Sequence, residues 1–421
     1  MDQQTKASSS SSSKGGRRSE RGYIYLFGVA ASTAGLAVGT LDATGITTRA
    51  GSITNGAIYT SAYLAILLIT RAIVVPQTAR ISARFGIRRA YQLTIALGSL
   101  TWGIAGALIL AGLPGLPVLL AFAALFGVSS GFSATLGPIF SKAYIAGKDM
   151  AGAYAWMSVI AGIAWALGSV SGGFLLNTAA PGVGLLIKAA LGVPLLVVLV
   201  RITPATEPHT PRARKRAWAD MRDRLLGNAQ LRYATILGCG VALFAAPLVS
   251  LIVPIVDALR QSPLLPGAGI LMAAMALGQL SSPYIVSKFS TERSLLKAAA
   301  IASICCAAML GAYAVAALLF SDKPELVVWS VIGFGFGGMR FAARALNIGA
   351  VTASGSDESA ANLISAFTFA TALSSPVGVL IWGVMINRIS PEAAIAFGAA
   401  GTAVVSIASL VAARRRSTQP A

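Results

Sequence analysis

Charge is what this 421-residue chain has least of. Asp, Glu, Lys and Arg together make up 11% of it, and acids are the scarcer sign, 14 against 33 basic residues. There is one histidine, His209, in a hydrophilic stretch, so neither a histidine metal cluster nor a histidine proton relay can be built. The three cysteines, Cys239, Cys305 and Cys306, all fall inside apolar runs, the pattern of small core residues and not of a disulfide framework or metal site. No metal and no cofactor are expected, and no signature of a soluble enzyme remains. The polar first 22 residues hold no apolar core near Met1 and no small-residue cleavage site, which argues against a signal peptide.

Apolar length is what the chain has in abundance: 56% of its residues are hydrophobic. About 20 consecutive apolar residues cross a hydrocarbon layer about 30 Å thick as a helix. Twelve such runs are legible, at about 23–47, 53–78, 90–112, 115–141, 151–176, 183–201, 233–258, 265–287, 295–319, 326–348, 360–386 and 391–413. They divide the chain into a disordered tail (1–22, with the serine run and "KGGRRSERG"), a first bundle (23–200), a hydrophilic linker (201–232), a second bundle (233–413) and a short tail (414–421).

The net charge of +19 is distributed in short clusters between apolar runs, not along an amphipathic face with interleaved aromatics, which speaks against nucleic acid. Basic clusters alternate with nearly uncharged loops such as "AGLPGLPV" and "NTAAPGVG". By the positive-inside rule both termini belong on the cytoplasmic side, here of a bacterial cytoplasmic membrane, in a multi-pass chain. At an offset of 210 the halves align Tyr23 with Tyr233, Ala164 with Ser374, Gly168 with Gly378 and Asn177 with Asn387, a sparse internal repeat. Twelve spans in two halves is the layout of a transporter with its site near the midplane between repeats.

The densest basic cluster is "ARISARFGIRRAY" (79–91), between the second and third runs. It resembles the loop motif of the major facilitator superfamily, G-x-x-x-D-R-x-G-R-R. Arg84, Gly86, Arg88 and Arg89 match, while Ala79 stands for the first glycine and Ala83 for the acid. In that family the acid helps latch the halves together, so its absence puts the latch in doubt. A turn glycine in a positive-inside loop explains the same residues. In the fifth run, Ala164, Gly168, Gly172 and Gly173 resemble the family's antiporter motif, with Ser169 for its proline; four-residue spacing of small residues equally suits close helix packing. "LDATGI" (41–46) resembles the L-D-x-T motif of multidrug exporters. An arginine often found in the family's fourth span is replaced here by Gly127.

Of the fourteen acids, only Asp42 and Asp257 fall at membrane depth on this reading, both towards the outer ends of their runs. Either is a proton-coupling carboxylate or a wetted helix-end acid. Basic residues well inside runs are Arg71, Lys188, Arg340 and Arg344; each faces a cavity or snorkels, with snorkelling favoured for Arg344 and both readings open for Arg340, where snorkelling is harder. Lys188 belongs to a run that in the family faces lipid or scaffold. Candidates for gripping a solute are Phe132, Tyr154, Trp165, Gln279, Tyr284, Phe336, Asn362 and Trp382.

The resemblance implies an all-α membrane protein, twelve transmembrane helices in two pseudo-symmetric six-helix bundles, working as a monomer. The expected function is secondary transport of a small organic solute, a drug or metabolite, by proton-coupled efflux, the basic excess within the spans favouring a neutral, zwitterionic or anionic solute. Uptake or uniport without protons, and a non-transporting scaffold or sensor, are the alternatives. The partners are a small-molecule solute, the proton gradient and the lipid bilayer.

Overall fold

The structure, a computed structural model, describes residues 3–50, 55–144, 150–201, 227, 229–259, 266–289, 295–319, 326–352 and 357–417. Twelve of its helical segments are long and apolar enough to cross a membrane. The first six are Tyr23–Ala50, Gly56–Gln77, Ile87–Leu110, Gly115–Leu136, Val159–Thr178 and Val183–Arg201. The second six are Leu231–Ser250, Gly267–Lys288, Leu295–Leu319, Leu326–Val351, Phe367–Arg388 and Pro391–Ala413. Spans are numbered first to twelfth in this order.

Their packing reveals the repeat more clearly than sequence does. In the first half the first span packs on the fifth and sixth, the third on the fourth and sixth, and the second on the fourth. In the second half the seventh packs on the eleventh and twelfth, the ninth on the tenth and twelfth, and the eighth on the tenth. Every pair in one half has its counterpart in the other. The halves meet along two seams, fifth on eighth and second on eleventh, and these also exchange under the same correspondence.

Glycine sets these approaches. A Cβ at Gly127 would strike the carbonyl of Leu67 in the second span, and one at Gly337, 210 residues later, would strike that of Met275 in the eighth. Gly168 sits on the Ala34 carbonyl and its repeat partner Gly378 on that of Leu243. Between helices in lipid, where hydrophobic burial offers little, such close backbone approach is the main source of association. The substitution of Gly127 for the family's arginine thus has a steric reason: no side chain fits there.

Two differences from expectation concern helix ends. The first helix runs continuously from Gln3 to Ala50, so backbone expected to be a disordered tail is helical, and the last extends to Ser417. Extending an existing helix adds a hydrogen bond per residue without the cost of nucleation, which composition alone does not register. The seventh run breaks into Ala229–Phe244, Ala246–Ser250 and Ile252–Leu259, with Pro247 at the start of the middle piece. Most of the 201–232 linker lies outside the described residues.

At the basic loop a 3-10 turn over Val75–Gln77 leads into a helix, Thr78–Phe85. The chain then reverses at Gly86 (φ 78°, ψ 144°), a backbone conformation that only glycine adopts readily. Arg88 is engaged within its own half. Its Nε donates to the Leu199 carbonyl (2.9 Å) and an Nη to that of Val200 (2.9 Å), while Gln92 donates to Leu199 (2.7 Å). These close the C-terminal end of the sixth span. Arg84 and Arg89 are exposed, and the side chains of Ala79 and Ala83 lie outside the described residues.

Candidate substrate cavity

Between the halves, nearer the basic face, lies a cavity of about 260 Å³. Each wall is a helical stripe. The second span contributes Leu68, Arg71 and Val75, and the tenth contributes Arg340, Ala343, Arg344 and Asn347. The eleventh contributes Phe367, Thr371, Ser375 and Val379, one residue per turn. The seventh adds Gly238 to Ser250, the fourth Ala134 and Thr135, and the ninth Ser303.

Three arginines therefore share one small space, and among the described residues no carboxylate lines it. Nor does any acid among the described residues form an ion pair with them. Arg71 is held in place from behind, since its carbonyl and Cα lie against Gly131 of the fourth span. The Arg340 guanidinium carbon lies 5.8 Å from the centroid of its neighbour Phe341, within cation–π range. A guanidinium at mid-membrane costs about 2.5–3.5 kcal/mol on insertion scales and less towards a face, so three with no counter-charge among the described residues point to a demand outside folding.

Several neutral polar groups of the lining donate to their own helices, while the hydroxyls of Ser250 and Thr368 also line it. Thr371 donates to the Phe367 carbonyl (3.0 Å), Ser375 to Thr371 (3.5 Å), Thr135 to Gly131 (3.2 Å) and Ser303 to Ala299 (2.8 Å). Asn347 donates from Nδ2 to the Ala234 carbonyl (2.9 Å) across Gly238.

The side towards the uncharged loops is closed. Gly383 of the eleventh span seats on Ser61 and the Ala57 carbonyl of the second, and Asn387 donates to Asn55 (3.3 Å). On the other seam Gly269 of the eighth span seats on Ser169 and Gly173 of the fifth. Helix Ile252–Leu259 packs over the first and second spans. The fifth-span motif thus divides its work: Gly168 and Gly172 face the first span, and Gly173 faces the eighth.

Of the residues expected to grip a solute, the structure brings Arg71 and Arg340 into this cavity. Phe336 and Trp382 are fully buried in the core, and Trp165 packs beside Ala273 and Ala276 at the fifth–eighth seam. Phe132 packs in the first half against a cluster around Tyr91 and Leu136. Gln279 is half-buried in the eighth span and absent from the lining, and Tyr284 is exposed with the Lys288 ammonium 4.8 Å over its ring. Tyr154 and Asn362 have side chains outside the described residues. Arg344, expected to snorkel, is exposed and also borders the cavity, on the helix face it shares with Arg340 and Asn347. Asn347 was missed; its i+3 spacing from Arg344 in "RFAARALN" was the available signal.

Asp42 lies elsewhere. It is the only acid buried among the described residues, and its Oδ2 accepts the backbone N–H groups of Gly182 (3.1 Å) and Leu185 (3.2 Å). That makes it the N-terminal cap of the sixth span, supplied from the first, where a negative charge also meets the positive helix end. It borders a separate cavity of about 470 Å³ near the uncharged loops, with Arg49, whose Nη donates to the Leu176 carbonyl (2.7 Å). Asp257 is exposed on helix Ile252–Leu259, beyond the seventh span. Lys188 lies along Gly35 and Gly39 of the first span, its Nζ 3.3 Å from the Ser32 carbonyl.

Solved structures of transporters share this architecture. A D-xylose–proton symporter aligns at TM-score 0.71 with 11% identity, covering 92% of this chain and 97% of the other. The xylose transporter XylE from E. coli, in a partially occluded inward-open conformation, aligns at 0.67 with 13% identity, covering 91% and 96%. A variant of the nucleoside transporter NupG aligns at 0.67 with 16% identity, covering 92% and 99%. No curated protein sequence matches the chain significantly. The sequence profile of the Major Facilitator Superfamily matches residues 24–379, and with twelve spans in two equivalent bundles the chain belongs to that family of membrane transporters.

Proposed function

We propose that the chain carries a small organic anion across the membrane by alternating access, with Arg71, Arg340 and Arg344 as its anion-binding residues. The observation that carries this reading is the cavity of about 260 Å³ lined by three arginines and, among the described residues, by no carboxylate. Its volume suits a metabolite, and a guanidinium donates to carboxylate or phosphate in bidentate geometry. Alternation would break the contacts of Gly383 with Ser61 and Gly269 with Gly173, opening the face now closed. The membrane is placed as the bacterial cytoplasmic membrane, with both termini and the basic loops in the cytoplasm.

Export against protons is the directional part of the proposal, supported by the resemblance of the fifth-span stripe and "LDATGI" to exporter motifs. Asp42 is the carboxylate available for it; protonation would remove the charge that holds the start of the sixth span to the first. A second reading rests on the acid-free lining: uniport of an anion outward, driven by an inside-negative potential worth about 2.3 kcal/mol per charge at 100 mV. Proteoliposome efflux of labelled mono- and dicarboxylates and phosphate esters tests both. An imposed proton gradient accelerates antiport and leaves uniport unchanged, whereas a potassium-diffusion potential drives uniport. Transport of lipophilic cations that survives Arg340→Gln would overturn the anion reading.

A further inference from the structure

We propose a second binding site, at the end of the first bundle that bears the uncharged loops, for a small zwitterion: an ammonium and an acid group on a short linker. It does not depend on the anion reading, because its walls belong to one half. The cavity of about 470 Å³ beside Asp42 is lined by the ends of the first, third and fifth spans, the start of the fourth and the loops between them. Among the described residues nothing from the second half lines it, so it lies off the path that opens between the bundles.

Two opposite charges mark this cavity. Asp42 is 8% exposed, and only its Oδ2 is engaged, by the N–H groups of Gly182 and Leu185. Oδ1 accepts no hydrogen bond among the described residues, yet it is not one of the unpaired atoms sealed from the surface. It therefore keeps accessible surface where Asp42 lines the cavity. Arg49 follows seven residues later on the same helix, two turns and about 10 Å along its axis. One of its N–H groups is spent on the Leu176 carbonyl, and the others are left for a ligand. No ion pair joins the two side chains.

A pair placed for stability alone would close on itself. Here space is left between the charges, walled by Ile46, Ile109, Leu113 and Leu176. Apolar walls with a few convergent polar groups are the composition of a small-molecule site. Asp42 is the deeper group, so a ligand enters ammonium first and leaves its acid at Arg49 near the mouth. The guanidinium takes carboxylate or phosphate in bidentate geometry, and Oδ1 accepts from the ammonium. A free amino acid offers these two groups, and so does the headgroup of an ethanolamine lipid. Water would hydrate each charge separately, and it is matched probes that tell hydration from recognition.

The test is thermal unfolding of the full-length protein in detergent with ω-amino acids from glycine to δ-aminovalerate. Each is run beside the carboxylate and the alkylamine of the same length, at equal ionic strength. At the best length the zwitterion should bind about tenfold tighter or more than either control, since each control forgoes one charge-assisted contact. Arg49→Gln, at an exposed position, should reduce the zwitterion to the level of the amine. Ala179→Trp, which fills the cavity and leaves both charges, should abolish binding. Arg340→Gln should change neither result. A parallel arm in nanodiscs compares phosphatidylethanolamine with phosphatidylglycerol. Stabilisation by the ethanolamine lipid alone, lost in Arg49→Gln, assigns the site to a headgroup and not to a free solute. If neither a zwitterion nor the ethanolamine lipid outdoes its controls, the proposal falls. It falls equally if the advantage survives unchanged in Arg49→Gln and Ala179→Trp, and the anion reading stands in both cases.

Discussion

Asp42 gives the sharpest prediction, because its structural role and its proposed role in coupling are separable. The carboxylate holds two N–H groups of the first turn of the sixth span, from Gly182 at 3.1 Å and Leu185 at 3.2 Å. Each hydrogen bond to a charged acceptor contributes about 1.5–3 kcal/mol. Asp42→Asn keeps one neutral acceptor but loses the charge and offers an amide that faces donors, a loss of about 2 kcal/mol. Asp42→Ala leaves both N–H groups unpaired and costs about 3–5 kcal/mol. For a bundle of this size about 2 kcal/mol corresponds to a drop of about 4–8 °C in melting temperature. Gly184→Ala should reproduce the loss without replacing the acid, since an added Cβ would lie 2.6 Å from the Cβ of Asp42 and 2.9 Å from its Oδ2. The assay is thermal unfolding of purified protein in detergent, run beside flux at imposed proton gradients. If Asp42→Asn melts with the wild type while its flux loses proton dependence, the cap carries no weight and the reasoning fails. If stability falls as stated and proton dependence persists, Asp42 caps and does not couple.

Other expectations follow from the same packing. Gly127→Ala and Gly337→Ala each force a Cβ onto a facing backbone carbonyl and should cost about 1–3 kcal/mol, read as lowered melting temperature. A wild-type melt in either would refute the packing role. Arg340→Gln removes an uncompensated cation, so stability should hold or rise while anion affinity falls about tenfold or more. Loss of fold in this variant would mark the residue as structural. Arg88→Ala frees the carbonyls of Leu199 and Val200 and should lower stability by about 1 kcal/mol, discounted for the exposure of the site, with flux per folded molecule unchanged. A selective loss of flux would instead support a gating role.

What the sequence made legible is what the bilayer imposes. A fixed hydrocarbon thickness dictates run length, so twelve spans and their division into halves are readable residue by residue, and the sixth and ninth keep their expected bounds. Arg71 and Arg340 stood out because charge inside an apolar run has few explanations. The site was less legible where chemistry depends on neighbours from distant spans. The role of Asp42 is set by backbone N–H groups some 140 residues away, and no local pattern announces a cap supplied by another helix. Arg344 reads as a snorkelling residue until its stripe with Arg340 and Asn347 is set against the eleventh span. Aromatics misled for the opposite reason: Phe336 and Trp382 are what any tightly packed bundle buries.

The repeat itself separates scaffold from site. Glycines that bring helices together recur at the 210-residue offset: Gly127 with Gly337, and Gly168 with Gly378, each seated on a neighbouring carbonyl. The arginines do not recur. The positions equivalent to Arg71, Arg340 and Arg344 are Ser281, Ser130 and Ala134, all small and uncharged. One half therefore builds its bundle without a cation at each place where the other half has one. A guanidinium required by the fold would be required twice, under a packing scheme whose helix pairs correspond one for one. The charges are thus surplus to architecture, and their convergence from two different halves on one small cavity is intelligible as recognition of an anion.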